Sequence, residues 1–291
     1  MSWGSRVAEP IQTRQAYAPD VTERSFAVLL ELSLVLKAYQ QGLVLVGGWV
    51  PALLLRRHQA PRVSFQHVGS VDIDFLIDTK ALPESQYATI EELLRDRGYV
   101  PSARSPFTFE RKVQGLPSPI RVDFLVPAPP AGEGRRRETP EVQPARRART
   151  VEDTEVAFRH RIPWGLHGTL PEGGETRGEI RMADLTGILA MKGLVFGQRL
   201  KGRGKDAYDI WSLCGYYGAG PGEVGRAMRE HLGDPAVRRG LAVIQERFSS
   251  PAAVGPAEVE RFLMDAVPEG IGNPKVTAFQ DVRMMLDAAG I

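Results

Sequence analysis

The chain has 291 residues, 43% of them hydrophobic, which allows one large or two modest domains with real cores. Its 37 lysines and arginines nearly balance 35 aspartates and glutamates, and a net charge of +2 excludes a global polyanion-binding field, leaving only local basic patches for nucleic acid. The single cysteine, Cys214, excludes a disulfide framework or a cysteine-rich metal site, and with no apolar run near ~20 residues and no leader pattern the expectation is a soluble cytoplasmic protein without a membrane span.

Residues 1–20 are weakly patterned and are predicted to form an arm, with Trp3 and Tyr17 as anchors. Asp20 through Glu23 reads as a capping box, with Asp20 as the cap of a helix that runs to Gln40 and stops at Gly42. Leu43 to Val46 is a short apolar strand. It meets Gly47-Gly48 and then a helical pattern through Arg56-Arg57-His58. Pro61 breaks the chain before Val71-Asp72-Ile73-Asp74-Phe75-Leu76-Ile77-Asp78, whose alternation has the period of a strand. A helix over 82–98, a strand over 105–113 and a strand over 120–126 follow. Residues 127–150 hold five prolines and the clusters Arg135-Arg136-Arg137 and Arg146-Arg147, and read as a loop. Arg159 to Leu170 has no clear pattern. A short strand is expected at 179–182, and Asp184 is expected to cap a helix to Leu200. Lys205 to Cys214 forms a second helix. Four more are expected at 221–232, 235–248, 256–266 and 276–289. The fold class is therefore α/β or α+β: a mixed sheet flanked by helices, followed by a helical domain. The expected divisions are an arm at 1–20, a core at 21–182 and a helical domain at 183–291.

Three features carry chemistry. Asp72 and Asp74 are two apart on one strand face, about 6–7 Å along the backbone, so both carboxylates point the same way. Like charges so close are tolerable when a cation bridges them, and oxygen-only ligands suit Mg²⁺ or Mn²⁺. The competing reading is an edge strand with a solvated acidic face. Gly47-Gly48 between a strand and a helix start is a phosphate-binding arrangement, because glycine lets the backbone approach and the helix N–H groups face the anion. Asp123 lies on the polar face of the 120–126 strand, where a third carboxylate would complete a two-cation site.

Gly47-Gly48, a helix, Ser70-x-Asp72-x-Asp74-Phe75 and Asp123 together resemble the polymerase-β-type nucleotidyltransferase superfamily. The resemblance is strongest to its AbiEii-like branch, toxins of bacterial toxin–antitoxin systems, and covers roughly residues 25–215. The branch also carries a helix with a lysine and a Lys-Asp-x-x-Asp segment, matched here by Lys192 and by Lys205-Asp206-x-x-Asp209. This chain departs from the common pattern in that Trp49 follows Gly48 and the gap to Asp72 is long. The resemblance implies a mixed-sheet nucleotidyltransferase that uses an NTP and a divalent metal, Mg²⁺ or Mn²⁺. Asp72, Asp74 and Asp123 would be the metal ligands and catalytic carboxylates. Gly47, Gly48, Ser70, Lys192 and Lys205 would contact the nucleotide. Asp206 would act as a base or orient Lys192 or a ribose hydroxyl, with Asp209 as the rival carboxylate, or as a partner of Arg203 that merely fixes two helices. Lys192 as a snorkelling lysine and Ser70 as a turn serine are the structural alternatives. The five histidines show no metal-ligand spacing and read as structural or surface. Tyr208 and Trp211 could stack a base, but at helical spacing they read as core.

The expected activity is transfer of an NMP to an RNA such as the tRNA 3′ end, neutralised by a separately encoded antitoxin. Transfer to a small molecule or a protein hydroxyl is the rival enzyme reading. A nucleotide-binding module without catalysis is the rival of another class.

Overall fold

The computed structural model describes residues 13–61, 64–78, 81, 90–103, 105, 107–127, 141–143, 146–147, 149–151, 154–198 and 204–291. After a 3-10 turn at Arg14–Tyr17, the elements run α1 (Pro19–Val35), a 3-10 turn at Lys37–Gly42, β1 (Leu43–Val46), α2 (Trp49–His58), β2 (Asp72–Ile77), α3 (Ile90–Asp96), β3 (Tyr99–Pro101), β4 (Thr108–Arg111) and β5 (Ile120–Pro127). They continue with β6 (Glu141–Gln143), β7 (Arg146–Arg147), β8 (Arg149–Val151), α4 (Val156–Arg159), β9 (Arg161–Thr169), β10 (Glu175–Ala183), α5 (Leu185–Gln198) and α6 (Gly204–Tyr216). Four helices end the chain: α7 (Pro221–Arg229), α8 (Pro235–Arg247), α9 (Val254–Leu263) and α10 (Pro274–Ala289).

The main sheet has the order β3-β4-β5-β2-β1-β10-β9, with β8 added to β5. It is mixed: β1 runs parallel to β10 and antiparallel to β2, and β2 runs parallel to β5. All four residues of β1 are buried, as expected of a central strand covered on both faces. In β2 the apolar residues Ile73, Phe75, Leu76 and Ile77 are buried, while Asp72 and Asp74 lie on the partly open face.

The helices that frame the polar face are held by close packing. The indole N–H of Trp49, at the start of α2, donates to Ser25 Oγ in α1 at 3.1 Å. Helices α5 and α8 cross where Gly193 meets Gly240, and a Cβ on either glycine would strike the other helix's backbone. This crossing fixes α5 and with it Lys192.

Several boundaries differ from expectation. Helix α1 starts at Pro19 with Ala18 as its N-cap, so Asp20 is not the cap. Proline suits the first helical position, and Asp20 instead lies in the first turn, where its charge favours the dipole. The Arg159 to Leu170 stretch yields β9, although Pro163, Gly165 and Gly168 lower its strand propensity. An edge strand tolerates proline, and the nine-residue pairing with β10 supplies what propensity does not. Strand β10 is accordingly longer than the four residues predicted. The expected helix over 82–98 is described from Ile90, and its start lies outside the described residues. The expected loop at 127–150 carries β6, β7 and β8, with β8 parallel to the end of β5; Arg135, Arg136 and Arg137 lie outside the described residues. Asp184 caps α5 as expected, accepting from the Gly187 N–H at 2.8 Å.

Candidate active site

The register between β2 and β5 sets the site. Asp72 stands beside Arg121, and Asp74 stands beside Asp123. Neighbouring strands lie about 4.8 Å apart, so these four residues form a square on one sheet face, with three carboxylates and one guanidinium. Arg121 forks onto Asp72, with Nε to Oδ1 at 3.0 Å and Nη2 to Oδ2 at 2.6 Å. Strand β4 adds Thr108, in register with Asp123, whose hydroxyl donates to the Asp123 carboxylate. The Asp72 hydrogen bonds and charge, with lesser help from Asp123 and Asp74, hold the Arg121 guanidinium above its ordinary range.

The glycine pair lies against this square. Val46, the last residue of β1, is in register with Asp74. The chain then turns at Gly47, which has φ +73, a conformation costly to residues with a Cβ. A Cβ at Gly47 would also overlap the Asp74 carboxylate. Gly48 is the N-cap of α2 and carries no side chain to cap the first helical N–H groups. A Cβ at Gly48 would lie 2.8 Å from Ser70 Oγ and 3.2 Å from Lys205 Nζ. Backbone, hydroxyl and ammonium therefore converge at the helix start.

Helices α5 and α6 bring a buried charge cluster to the same place. Lys192 Nζ lies 2.7 Å from both Asp206 Oδ1 and Asp209 Oδ2. Lys205 pairs with Asp209 one helical turn away. Asp209 is 0% exposed, Asp206 4% and Lys192 7%, so these are interior charges that require partners. Burial works against the Lys192 charge, but Asp206 and Asp209 overcome it and hold the ammonium above its ordinary range. Burial also opposes the Asp209 charge, yet the two lysines keep its carboxyl well below the usual range. Lys205 moves the other way: burial and the neighbouring Lys192 charge lower its pKa against the pull of Asp209.

His67 completes the cluster. Its Nδ1 accepts from the Gly69 N–H at 3.1 Å, so the ring proton sits on Nε2 and is donated to Asp209 Oδ1 at 3.0 Å. Burial, then the Lys205 charge, push its pKa from 6.5 down to about 4. The unfolded chain takes up this proton near pH 6.5 and the folded chain near 4. Stability therefore falls as pH drops through that window and is fully present above it; the Asp209 contribution is lost only below the unfolded carboxylate pKa of 3.8. The expected His67 loss between pH 6.5 and 4 is about 3 kcal/mol at most. Calorimetric melting from pH 7 to 4 should show a shallower decline in His67→Gln than in the wild type. Parallel curves would remove His67 from the account.

All nine residues proposed from the sequence thus lie in two adjoining groups: the carboxylate square against the glycine turn, and the lysine–aspartate cluster beside Ser70 and Gly48. Asp206 is the partner of Lys192. Asp209 joins α6 to α5, but through Lys192, while Lys205 pairs with it within α6; Arg203 lies outside the described residues. Tyr208 and Trp211 are fully buried core residues, and the Tyr208 hydroxyl accepts from the Val68 N–H at 3.3 Å. Four neighbours were not anticipated as part of the site: His67, Thr108, Arg121 and Tyr17. The Tyr17 ring lies 5.4 Å from Lys205 Nζ, and burial with the nearby Asp209 and Asp72 charges raises its hydroxyl pKa. The sequence marks Tyr17 as an anchor of the arm, and it is buried, but it carries no signal for a place beside Lys205. A separate cavity of about 460 Å³, lined by Arg159, Asp234, Pro235, Ala236 and Arg239, contains none of these residues.

A hard divalent cation fits this face in kind. The donors are oxygens only, they share one face, and Gly47 leaves room at Asp74. Among the described residues, no three His, Cys, Asp or Glu side chains are drawn together to grip an ion. Arg121 holds Asp72, and Thr108 holds Asp123.

A family model described as nucleotidyl transferase AbiEii toxin, type IV TA system, matches residues 28–282. Among solved structures, the chain is similar to an antigenic nucleotidyltransferase-like protein from Paracoccidioides brasiliensis. The identity is 15%, the match covers 66% of this chain and 76% of that one, and the TM-score is 0.37. None of the curated proteins matches the chain.

Proposed function

The chain belongs to the AbiEii nucleotidyltransferase toxin family, and from that premise we propose that it transfers an NMP from an NTP to an RNA hydroxyl, the tRNA 3′ end being the leading acceptor. The observation that carries this reading is the pairing of Asp74 with Asp123 directly against the Gly47-Gly48 turn. Phosphate-binding backbone and acidic side chains are thereby held within one reaction's reach.

Asp72, Asp74 and Asp123 would hold Mg²⁺ or Mn²⁺, which when bound neutralises the triphosphate and polarises the phosphorus under attack. The N–H groups at the start of α2 bind the β- and γ-phosphates. Lys205, beside Gly48 and Ser70, faces the same phosphates and offsets the charge on departing pyrophosphate. Lys192 supports it from behind, oriented by Asp206. The acceptor oxygen bonds to the α-phosphorus, the bond to pyrophosphate breaks, and the acceptor proton passes to Asp123. In this reading residues 21–182 are the catalytic core, and the helical region 183–291 contributes both lysines and Asp206. The family implies a separately encoded antitoxin as a partner. No helix among the described residues is long and apolar enough to cross a membrane, and we place the reaction in the cytoplasm, where NTPs and RNA coexist.

The test is incubation with Mg²⁺, each α-³²P-labelled NTP in turn and total bacterial RNA, beside an Asp72→Ala/Asp74→Ala variant. Label is expected on a tRNA-sized band only with the aspartates present. Label on protein would indicate a protein hydroxyl, labelled small molecules a metabolite acceptor, and nucleotide binding without turnover a non-catalytic module. RNA as acceptor also gives the arginine-rich 127–150 segment a role in phosphate contact. Replacing Arg135, Arg136 and Arg137 with glutamine should then flatten the dependence of log activity on log salt by about 2 to 3. An unchanged slope would remove that segment from RNA binding.

A further inference from the structure

We propose that Arg121 is a displaceable latch on the metal site: it competes with the divalent cation for the Asp72 carboxylate, and cation loading releases its guanidinium to the mouth of the site. The inference rests on the metal-dependent reading above and adds a residue to it.

Arg121 belongs to the polar face of the same strand as Asp123, two residues before it, and its register partner is Asp72. Its fork engages both oxygens of that carboxylate, one through Nε and one through Nη2. A planar fork matched to a carboxylate is directional, and it leaves a second cation less charge and fewer lone pairs. The square carries three carboxylates, so one guanidinium leaves a net negative field that still attracts a divalent ion. The Arg121 side chain is 52% exposed and that of Asp72 30%. The pair is therefore hydrated enough to break readily, unlike the interior Lys192–Asp206–Asp209 cluster. Asp123 sits in the same square with its own donor, Thr108, so Asp72 and Asp123 are each held by a side chain. Arg121 holds its partner by charge, whereas Thr108 holds its partner by a neutral hydroxyl. An arriving cation repels the arginine and competes for the two carboxylate oxygens that its fork occupies.

Mn²⁺ binding, followed by the loss of the free-ion signal in electron paramagnetic resonance, measures this directly without turnover. Three proteins are compared: wild type, Arg121→Ala and Arg121→Lys. The latch predicts that Arg121→Ala binds Mn²⁺ roughly three- to tenfold more tightly, the scale of a partly exposed pair. Arg121→Lys keeps the charge and loses the fork, so it should recover a large part of that gain. Tightening in Arg121→Ala alone would show that the arginine acts only through its field, and the latch would be wrong. Equal or weaker binding in Arg121→Ala would also overturn it, since the arginine would then be neutral toward the site or would build it. If no protein binds Mn²⁺, the metal reading falls and the latch with it, an outcome distinct from unchanged binding in the variant.

Discussion

Replacing Asp74 with asparagine is expected to lower nucleotidyl transfer by about 10³-fold or more, the scale of removing several kcal/mol of transition-state stabilisation. Asp74 is the corner of the square that lies against the glycine turn. It is beside Asp123 across β2 and β5, beside Val46 across β1, and against Gly47. Asparagine keeps the shape and the partly open position but loses the charge that would hold a cation and one oxygen that would ligate it. Because the residue is on the sheet's polar face, melting temperature should change little. A labelled-NTP transfer assay, with circular dichroism to verify folding, makes the measurement. Transfer retained within a few-fold would remove the carboxylate square from the chemistry.

Asp209→Asn acts on stability instead. Asp209 is fully buried and holds Lys192, Lys205 and His67. Breaking a buried ion pair from one side costs about 3–5 kcal/mol, because the remaining charge keeps its desolvation penalty and loses its compensation. Asp206 still serves Lys192, and Lys205, already shifted toward its neutral form, can release its proton, so the lower end is expected. For a chain of this length about 3 kcal/mol corresponds to a fall of about 5 °C in melting temperature. Asp287→Asn is the comparison: its ion pair with Arg283 is more than half exposed on both sides, and its loss should cost less than about 1 kcal/mol. Similar small shifts in both variants would mean that the interior cluster does not hold α5 against α6.

The family match reaches residue 282, well past the 215 to which the quoted motifs extend. The terminal helices therefore belong with the rest, although they carry no motif residue. Their role is visible in packing: α8 seats α5 through Gly240, and the Phe262 ring of α9 packs at a tilt against Tyr208 and Tyr17.

What the sequence determined by itself is what is written locally. The alternation in β2 places Asp72 and Asp74 on one face, because side chains alternate along any strand whatever its neighbours. The glycine pair before a helical run marks the turn, and the capping signal at Asp184 marks α5, because each depends on a few adjacent residues. The tertiary structure alone decided the pairings between distant segments. Asp74 meets Asp123 and Asp72 meets Arg121 only in one register of β2 against β5, and a slip of β5 by one residue would turn Arg121 and Asp123 to the other face. His67 reaches Asp209 across 142 residues, and Tyr17 enters from an arm with no pattern of its own. Strand β9 was hidden for the same reason: its proline and glycines argue locally against a strand, and only the neighbouring β10, with buried Trp164 and Leu166 beneath, makes that conformation favourable. Local periodicity is set by backbone geometry, whereas these contacts are set by the burial and charge compensation of the whole chain, which no short window of sequence contains.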